Sequence, residues 1–286
     1  MSLSVVIPAY NEEQQIGAVI DEIRSTAGSV VSEILIVDDG SSDRTAEVAE
    51  RHGARVIRFA RNHGYGAAIK AGIVHASSEF VITMDGDGQH EPKDIITLYN
   101  KRSDSDVVIG SRDSMTRSGL WRVPGKWLLT RIAEFLSKQR IPDLNSGMKL
   151  ARKEDLQRYV RLCPDGMSFS DTLTLIYISR RHVVDFFPIS VRKRRGGTST
   201  ISLSTGFETI LSIINVIMLF NPIRIFLPVA LVFFTLGLII GIPIAWMGRG
   251  LSVGALLFMI VGVLTFFFGI LAEQIAQIRK HMLERS

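Results

Sequence analysis

Apolar residues fall in short blocks over the first 110 positions and in two long blocks near the end of the 286-residue chain. Residues 3–7, 34–37, 55–59, 80–84 and 106–109 are brief apolar runs, the form taken by buried strands. Between them, residues 11–23 carry Ile16, Val19, Ile20 and Ile23 at helical spacing, with acids in the first turn. Residues 43–52, opened by a Ser/Asp cap, the small-residue stretch 66–76 and residues 92–99 read as further helices. Strand alternating with helix predicts an α/β fold with a mostly parallel sheet and helices on both faces. Ligands of such sheets bind beyond the carboxyl ends of the strands.

The late blocks differ in kind. Residues 225–247 and 251–272 run 23 and 22 positions without a charge, separated by Gly248-Arg249-Gly250. A bilayer core needs about 20 helical residues to cross. A single run would fit a buried core helix, but two with a three-residue turn predict a transmembrane hairpin. Pro228 and Pro243 are tolerable there, where neighbouring groups satisfy the freed carbonyls. Residues 203–220 place Phe207, Ile210, Leu211, Ile213, Ile214, Ile217 and Met218 at helical spacing. That pattern fits core packing or a membrane interface, and its place before a span favours the interface. Three segments follow: a domain over residues 1–200, an amphipathic juxtamembrane helix over 201–224, and a hairpin with a short tail over 225–286.

Charge sharpens this division. The net charge is +5, yet residues 191–286 hold nine Lys/Arg against three acids, leaving 24 against 25 in residues 1–190. Cations cluster before the first span and after the second, which predicts a cytoplasmic domain and a cytoplasmic C-terminus by the positive-inside rule. A nearly neutral domain argues against nucleic acid, and the basic run suits anionic headgroups. Residues 1–8 are too short, and lack the basic start, for a signal peptide. With 47% hydrophobic residues the chain can build a core, and the single Cys163 excludes a disulfide framework and fits a reducing compartment.

The polar clusters follow strands. The first runs into Pro8-Ala9-Tyr10-Asn11-Glu12, the second into Asp38-Asp39-Gly40-Ser41-Ser42-Asp43, the fourth into Asp85-Gly86-Asp87-Gly88-Gln89-His90, and the fifth into Gly110-Ser111-Arg112. Asp85 and Asp87 can turn to one side of a tight turn, and two hard oxygen ligands at an open site suit Mg²⁺ or Mn²⁺. A calcium loop fails on spacing, since His90 stands at the sixth position and Ile96 at the twelfth. A dinucleotide fingerprint fails too: Gly64-Tyr65-Gly66 is followed by Ile69 where the third Gly belongs, and follows the third strand.

On these segments the chain resembles the inverting family-2 glycosyltransferases of the GT-A fold. Asn62-His63-Gly64-Tyr65-Gly66-Ala67-Ala68, Asp143-Leu144-Asn145-Ser146-Gly147 and Arg194-Arg195-Gly196-Gly197-Thr198-Ser199 extend the likeness, which spans residues 3–200. Within the family it is most similar to polyprenyl-phosphate sugar synthases, the dolichyl-phosphate mannose synthase group. The resemblance implies that Pro8, Ala9, Tyr10, Glu12, Val37 and Asp39 hold the nucleoside, with Tyr10 against the base. It implies that Asp85, Gly86, Asp87, Arg112 and Arg194 complete the nucleotide-sugar site. Asp85, Asp87 and Gln89 would bind the metal, and Arg122, Lys126 and Arg194 the acceptor phosphate, with Asp87, Arg112 and Arg122 carrying the chemistry. Thr200 stands where the family usually has a Lys, a place that Arg192, Lys193 or Arg195 could fill.

The implied activity is metal-dependent, inverting transfer of one sugar from GDP-mannose or a UDP-hexose to polyprenyl phosphate, dolichyl or undecaprenyl. Transfer to a hydroxyl of a glycolipid or diacylglycerol is the alternative, and a non-catalytic binding subunit a third reading. Asp143 and Asp171 are candidate acids near the site, with Asp143 read as orienting rather than proton-accepting. Small residues such as Gly237, Gly241 and Gly262 raise the prospect of a homo-oligomer.

Overall fold

The structure is a computed structural model that describes residues 2–112, 131, 134–135, 139–192, 222–248, 250 and 252–284. Seven strands form one sheet: β1 (Leu3–Ala9), β2 (Val31–Asp38), β3 (Arg55–Arg58), β4 (Phe80–Thr83), β5 (Val107–Arg112), β6 (Lys149–Arg152) and β7 (Val184–Ile189). Their order across the sheet is β3-β2-β1-β4-β6-β5-β7. The pairs β1–β2, β1–β4, β2–β3 and β5–β7 are parallel, whereas β6 runs antiparallel to both β4 and β5. The mostly parallel sheet is therefore present, with one reversed strand inside it. Because β6 is reversed, it begins at the edge where β1, β2, β4, β5 and β7 end.

Side-chain pattern accounts for the layering. In β1 every residue from Leu3 to Ile7 has essentially no exposure, as expected of a strand covered on both faces. Helix α1 (Ile16–Ala27) buries Ile16, Val19, Ile20, Ile23 and Ala27, one stripe at helical spacing, in a core shared with β1, β2 and β4. Each fully buried aliphatic side chain contributes roughly 1.5–3 kcal/mol. Helices α2 (Thr45–Arg51) and α4 (Lys93–Asn100) follow β2 and β4. Helix α3 (Tyr65–His75) lies close to the sheet because Gly72 has no Cβ; one there would overlap Val6 and stand 3.2 Å from Val37. Helices α5 (Lys153–Val160) and α6 (Phe169–Ser179) follow β6.

The first helix starts later than the periodicity predicts, at Ile16 rather than residue 11. Asn11 adopts φ 55°, the left-handed region, and its side-chain oxygen accepts from both the amide and hydroxyl of Ser42. The Glu12 and Glu13 amides donate to Thr45 Oγ1 and to Asp43. Residues 11–13 thus tie the β1 loop to the β2 loop instead of winding into helix.

The chain divides into two compact units, residues 1–131 with 139–212, and residues 132–138 with 213–286. In the second unit, α7 (Ile223–Trp246) and α8 (Val253–Glu284) form a hairpin. Ile223–Trp246 and Val253–Ile278 are both long and apolar enough to cross a membrane. The seam uses glycine: a Cβ at 237 would lie 2.5 Å from Met259, and one at 262 would lie 2.9 Å from the Ala230 carbonyl. Gly241 faces Ala255 and Gly269 faces Phe226 in the same way. The small residues that suggest a route to oligomers here seat one helix of the chain on the other. The expected helix over residues 203–220 lies outside the described residues.

Candidate active site

The polar clusters that follow β1, β2, β4 and β5 arrive at the carboxyl edge of the first unit's sheet. The clusters after β1 and β2 are tied to neighbouring loops by hydrogen bonds. Asp39 is 4% exposed, and its two carboxylate oxygens accept the His63 amide at 2.7 Å and the Gly64 amide at 2.9 Å. Asp38 accepts the Ser41 amide at 2.9 Å in a local turn. Gly40 has φ +73°, and a Cβ there would meet the Arg61 backbone at 2.5 Å, so the turn needs a glycine. Tyr10 stands half exposed at the end of β1, beside partly exposed Pro8 and Glu12 and buried Ala9. Val37 is fully buried against α3, and its side chain is not brought to the polar edge.

The acidic turn after β4 is the centre of the arrangement. Asp85 and Asp87 are partly exposed, and Gly86 between them is buried against Ile7 and Pro8. The Tyr65 hydroxyl donates to Asp85 Oδ1 at 2.8 Å, and His90 Nε2 lies 3.4 Å from Asp85 Oδ2. Burial works against the Asp85 carboxylate, but His90, Tyr65 and Arg112 outweigh it and hold its pKa below the usual value. Asp87 accepts the Gln89 amide at 3.1 Å, and Gln89 Nε2 donates to the Arg192 carbonyl. His90 also bridges to Val191. The turn is thereby pinned by the chain leaving β7.

A second group enters from the loop before β6. Arg112 makes a bidentate pair with Asp143, Nε to Oδ2 at 2.8 Å and Nη2 to Oδ1 at 3.0 Å, and Nη2 also donates to the Asn145 carbonyl. Burial opposes the Asp143 charge, but the guanidinium beside it keeps its pKa below the ordinary range. Gly147 sits against Asp85 so closely that a Cβ would overlap its carboxylate. Thr83 Oγ1 donates to the Gly147 carbonyl at 2.7 Å and fixes that approach. Lys149, 2% exposed, donates to the Ser146 carbonyl beneath the loop. Its pKa is lowered to about 8 by burial, against the pull of Asp171, Asp143 and Asp85.

Several expected residues stand at this edge, and others are committed elsewhere. Arg192 pairs with Glu22 at 2.7 Å and lies 3.6 Å from Glu91. Arg122, Lys126, Arg194 and Thr200 lie outside the described residues. Sequence reasoning misses Tyr65, Gly147 and Lys149 as functional residues. Tyr65 and Gly147 lie inside recognisable motifs, whereas a lone Lys at a strand start carries no sequence signal of burial.

The metal expectation can be tested on these contacts. Gly147 leaves a cradle around Asp85 that any side chain would fill, and Asp85 and Asp87 present hard oxygens at a partly open edge. No group of three His, Cys, Asp or Glu residues stands together among the described residues. Two carboxylates with open positions fit Mg²⁺ or Mn²⁺, which is commonly held by one or two carboxylates plus substrate phosphate.

The description "Glycosyl transferase family 2" matches residues 4–160, the segment that carries these loops. The chain belongs to this glycosyltransferase family. A second description, "GtrB C-terminal hairpin", matches residues 221–278. The glycosyltransferase is similar to the dodecaprenyl-phosphate galacturonate synthase of Rhizobium johnstonii, 27% identical over 229 residues, which span 76% of this chain and 66% of the relative. It is similar to the undecaprenyl-phosphate 4-deoxy-4-formamido-L-arabinose transferase of Klebsiella pneumoniae, 26% identical over 96% of this chain and 88% of the relative. The fold is that of glucosyl-3-phosphoglycerate synthase from Mycobacterium tuberculosis. Its structure with Mn²⁺, UDP and glucosyl-3-phosphoglycerate aligns with TM-score 0.61 and 23% identity over 76% of this chain and 78% of that one.

Proposed function

We propose that this glycosyltransferase moves one sugar, with inversion, from a nucleotide sugar to a polyprenyl phosphate at the cytoplasmic membrane face. The observation that carries the reading is the acidic Asp85–Asp87 turn beside the Arg112–Asp143 pair, in a chain that also has a GtrB-type hairpin. The two relatives named above are, by name, a polyprenyl-phosphate sugar synthase and an undecaprenyl-phosphate sugar transferase, which supports the acceptor class.

In this reading Tyr10, Pro8, Ala9 and Glu12 border the nucleoside, with Asp39 organising the loop beneath it. Asp85, Asp87 and Gln89 would hold Mg²⁺ or Mn²⁺, which when bound supplies positive charge at the leaving diphosphate. Arg112 stabilises developing negative charge on phosphate oxygens. Arg122, Lys126 and Arg194 are proposed for the acceptor phosphate. An acceptor phosphate oxygen forms the new bond to the anomeric carbon as the bond to the diphosphate breaks. A phosphate monoester loses its second proton near pH ~6, so this nucleophile is already anionic and needs no protein base. The Asp143 pairing with Arg112 supports an orienting role and favours a phosphate acceptor over a hydroxyl one.

Membranes holding the protein, incubated with labelled UDP- and GDP-sugars, test the reading. Acid-labile label is expected in the polyprenyl-phosphate fraction and is expected to vanish with a chelator. Label confined to acid-stable glycolipid would establish the hydroxyl-acceptor reading instead.

A further inference from the structure

The Gly64-Tyr65-Gly66 segment fits no dinucleotide loop, and its geometry shows another use. A Cβ at Gly64, where φ is +103°, would lie 2.6 Å from the Asp165 carbonyl, and one at Gly66 would overlap the Pro164 carbonyl. The two glycines let the first turn of α3 tuck against the loop before α6, where the Ala67 amide donates to the Asp165 carbonyl at 3.1 Å. Tyr65, between them, is thereby aimed at the acidic turn. Its hydroxyl donates to Asp85 Oδ1 at 2.8 Å, and Ser170, 3% exposed, stands near the phenol.

We propose that Tyr65 is a positioning residue: its hydroxyl fixes the Asp85 carboxylate in the orientation that receives a divalent cation. The inference rests on the metal-binding reading of that turn. Two features give it direction. Gly147 removes any side chain that would crowd Asp85 from the far side, so orientation must come from hydrogen bonds. Tyr65 and His90 approach different carboxylate oxygens, which fixes both position and rotation. Removing an outer hydrogen bond to a metal ligand typically weakens metal affinity or activity by 10–100-fold.

The test is Tyr65→Phe in the full-length protein, with Mn²⁺ titrated into protein saturated with UDP or GDP and followed by electron paramagnetic resonance. Mn²⁺ affinity is expected to fall about tenfold. At saturating donor, kcat is expected to fall with it, while the KM for prenyl phosphate stays within about twofold. Ser170→Ala, which keeps the ring in place, is expected to move Mn²⁺ affinity the same way by less, and it decides the matter if Tyr65→Phe melts early. Unchanged or tighter Mn²⁺ binding in both variants, beside normal wild-type binding, overturns the inference alone. Absence of Mn²⁺ binding in the wild type overturns the metal reading and this inference together.

Discussion

Lys149 sits where a charge is expensive. A lysine 2% exposed in a central strand loses its hydration, which works directly against the ammonium and brings its pKa to about 8. Asp171, Asp143 and Asp85 pull the other way, so the cation and the acids of the site stabilise one another. The consequence for stability has a definite sign. Unfolded, the side chain titrates near ~10.4. Between about pH 8 and that value the unfolded chain holds a proton that the folded chain has released, so stability rises with pH through this window. The penalty is fully present below about 8 and gone above the unfolded value. Lys149→Met removes the titrating group. The melting temperature of the wild type relative to this variant is therefore expected to climb from about pH 8 to about pH 10. A flat difference across that range would show that Lys149 titrates normally.

Among the elements, β6 does most to assemble the site. Its reversal brings the loop that precedes it to the edge where the parallel strands end, placing Asp143 against Arg112 and Gly147 against Asp85. Gly147→Ala is expected to displace a partly exposed carboxylate rather than core. Turnover is then expected to fall about 10- to 100-fold with a melting temperature within a few degrees of wild type, read by transfer assay and thermal melt; wild-type turnover would contradict the cradle. This element is invisible in the chain's pattern. It has four residues, begins with Lys149 and ends with Arg152, and shows neither a long apolar run nor alternation. The strands and helices up to Arg112 are legible because each apolar run is bounded by polar turns, and the loops that follow them stand on one edge as the alternation predicts. The late start of α1 is not, because the helical spacing of Ile16, Val19, Ile20 and Ile23 says nothing about whether Asn11 to Glu13 are needed by a neighbouring loop. Around Tyr65 the sequence draws attention only to the glycines on either side.

At the scale of the whole molecule, the charge and hydropathy of the chain have separate addresses. Its excess positive charge lies in residues 191–286, around two helices able to cross a membrane, while the domain with the acidic turn is close to neutral. Both helices are legible as uncharged runs, though α8 continues past Ala272 to Glu284 because nothing in that polar stretch breaks a helix. The lipid-phosphate reading joins these two halves: an anionic acceptor delivered by the membrane, and a site with cations and no free base at Asp143. The most direct measurement gives purified protein a nucleotide sugar with a short prenyl phosphate or with the matching prenol. The account predicts transfer to the phosphate alone, requiring Mg²⁺ or Mn²⁺ and abolished in Asp87→Ala with the fold retained. Transfer to the prenol at a comparable rate, or full turnover in Asp87→Ala, would contradict it.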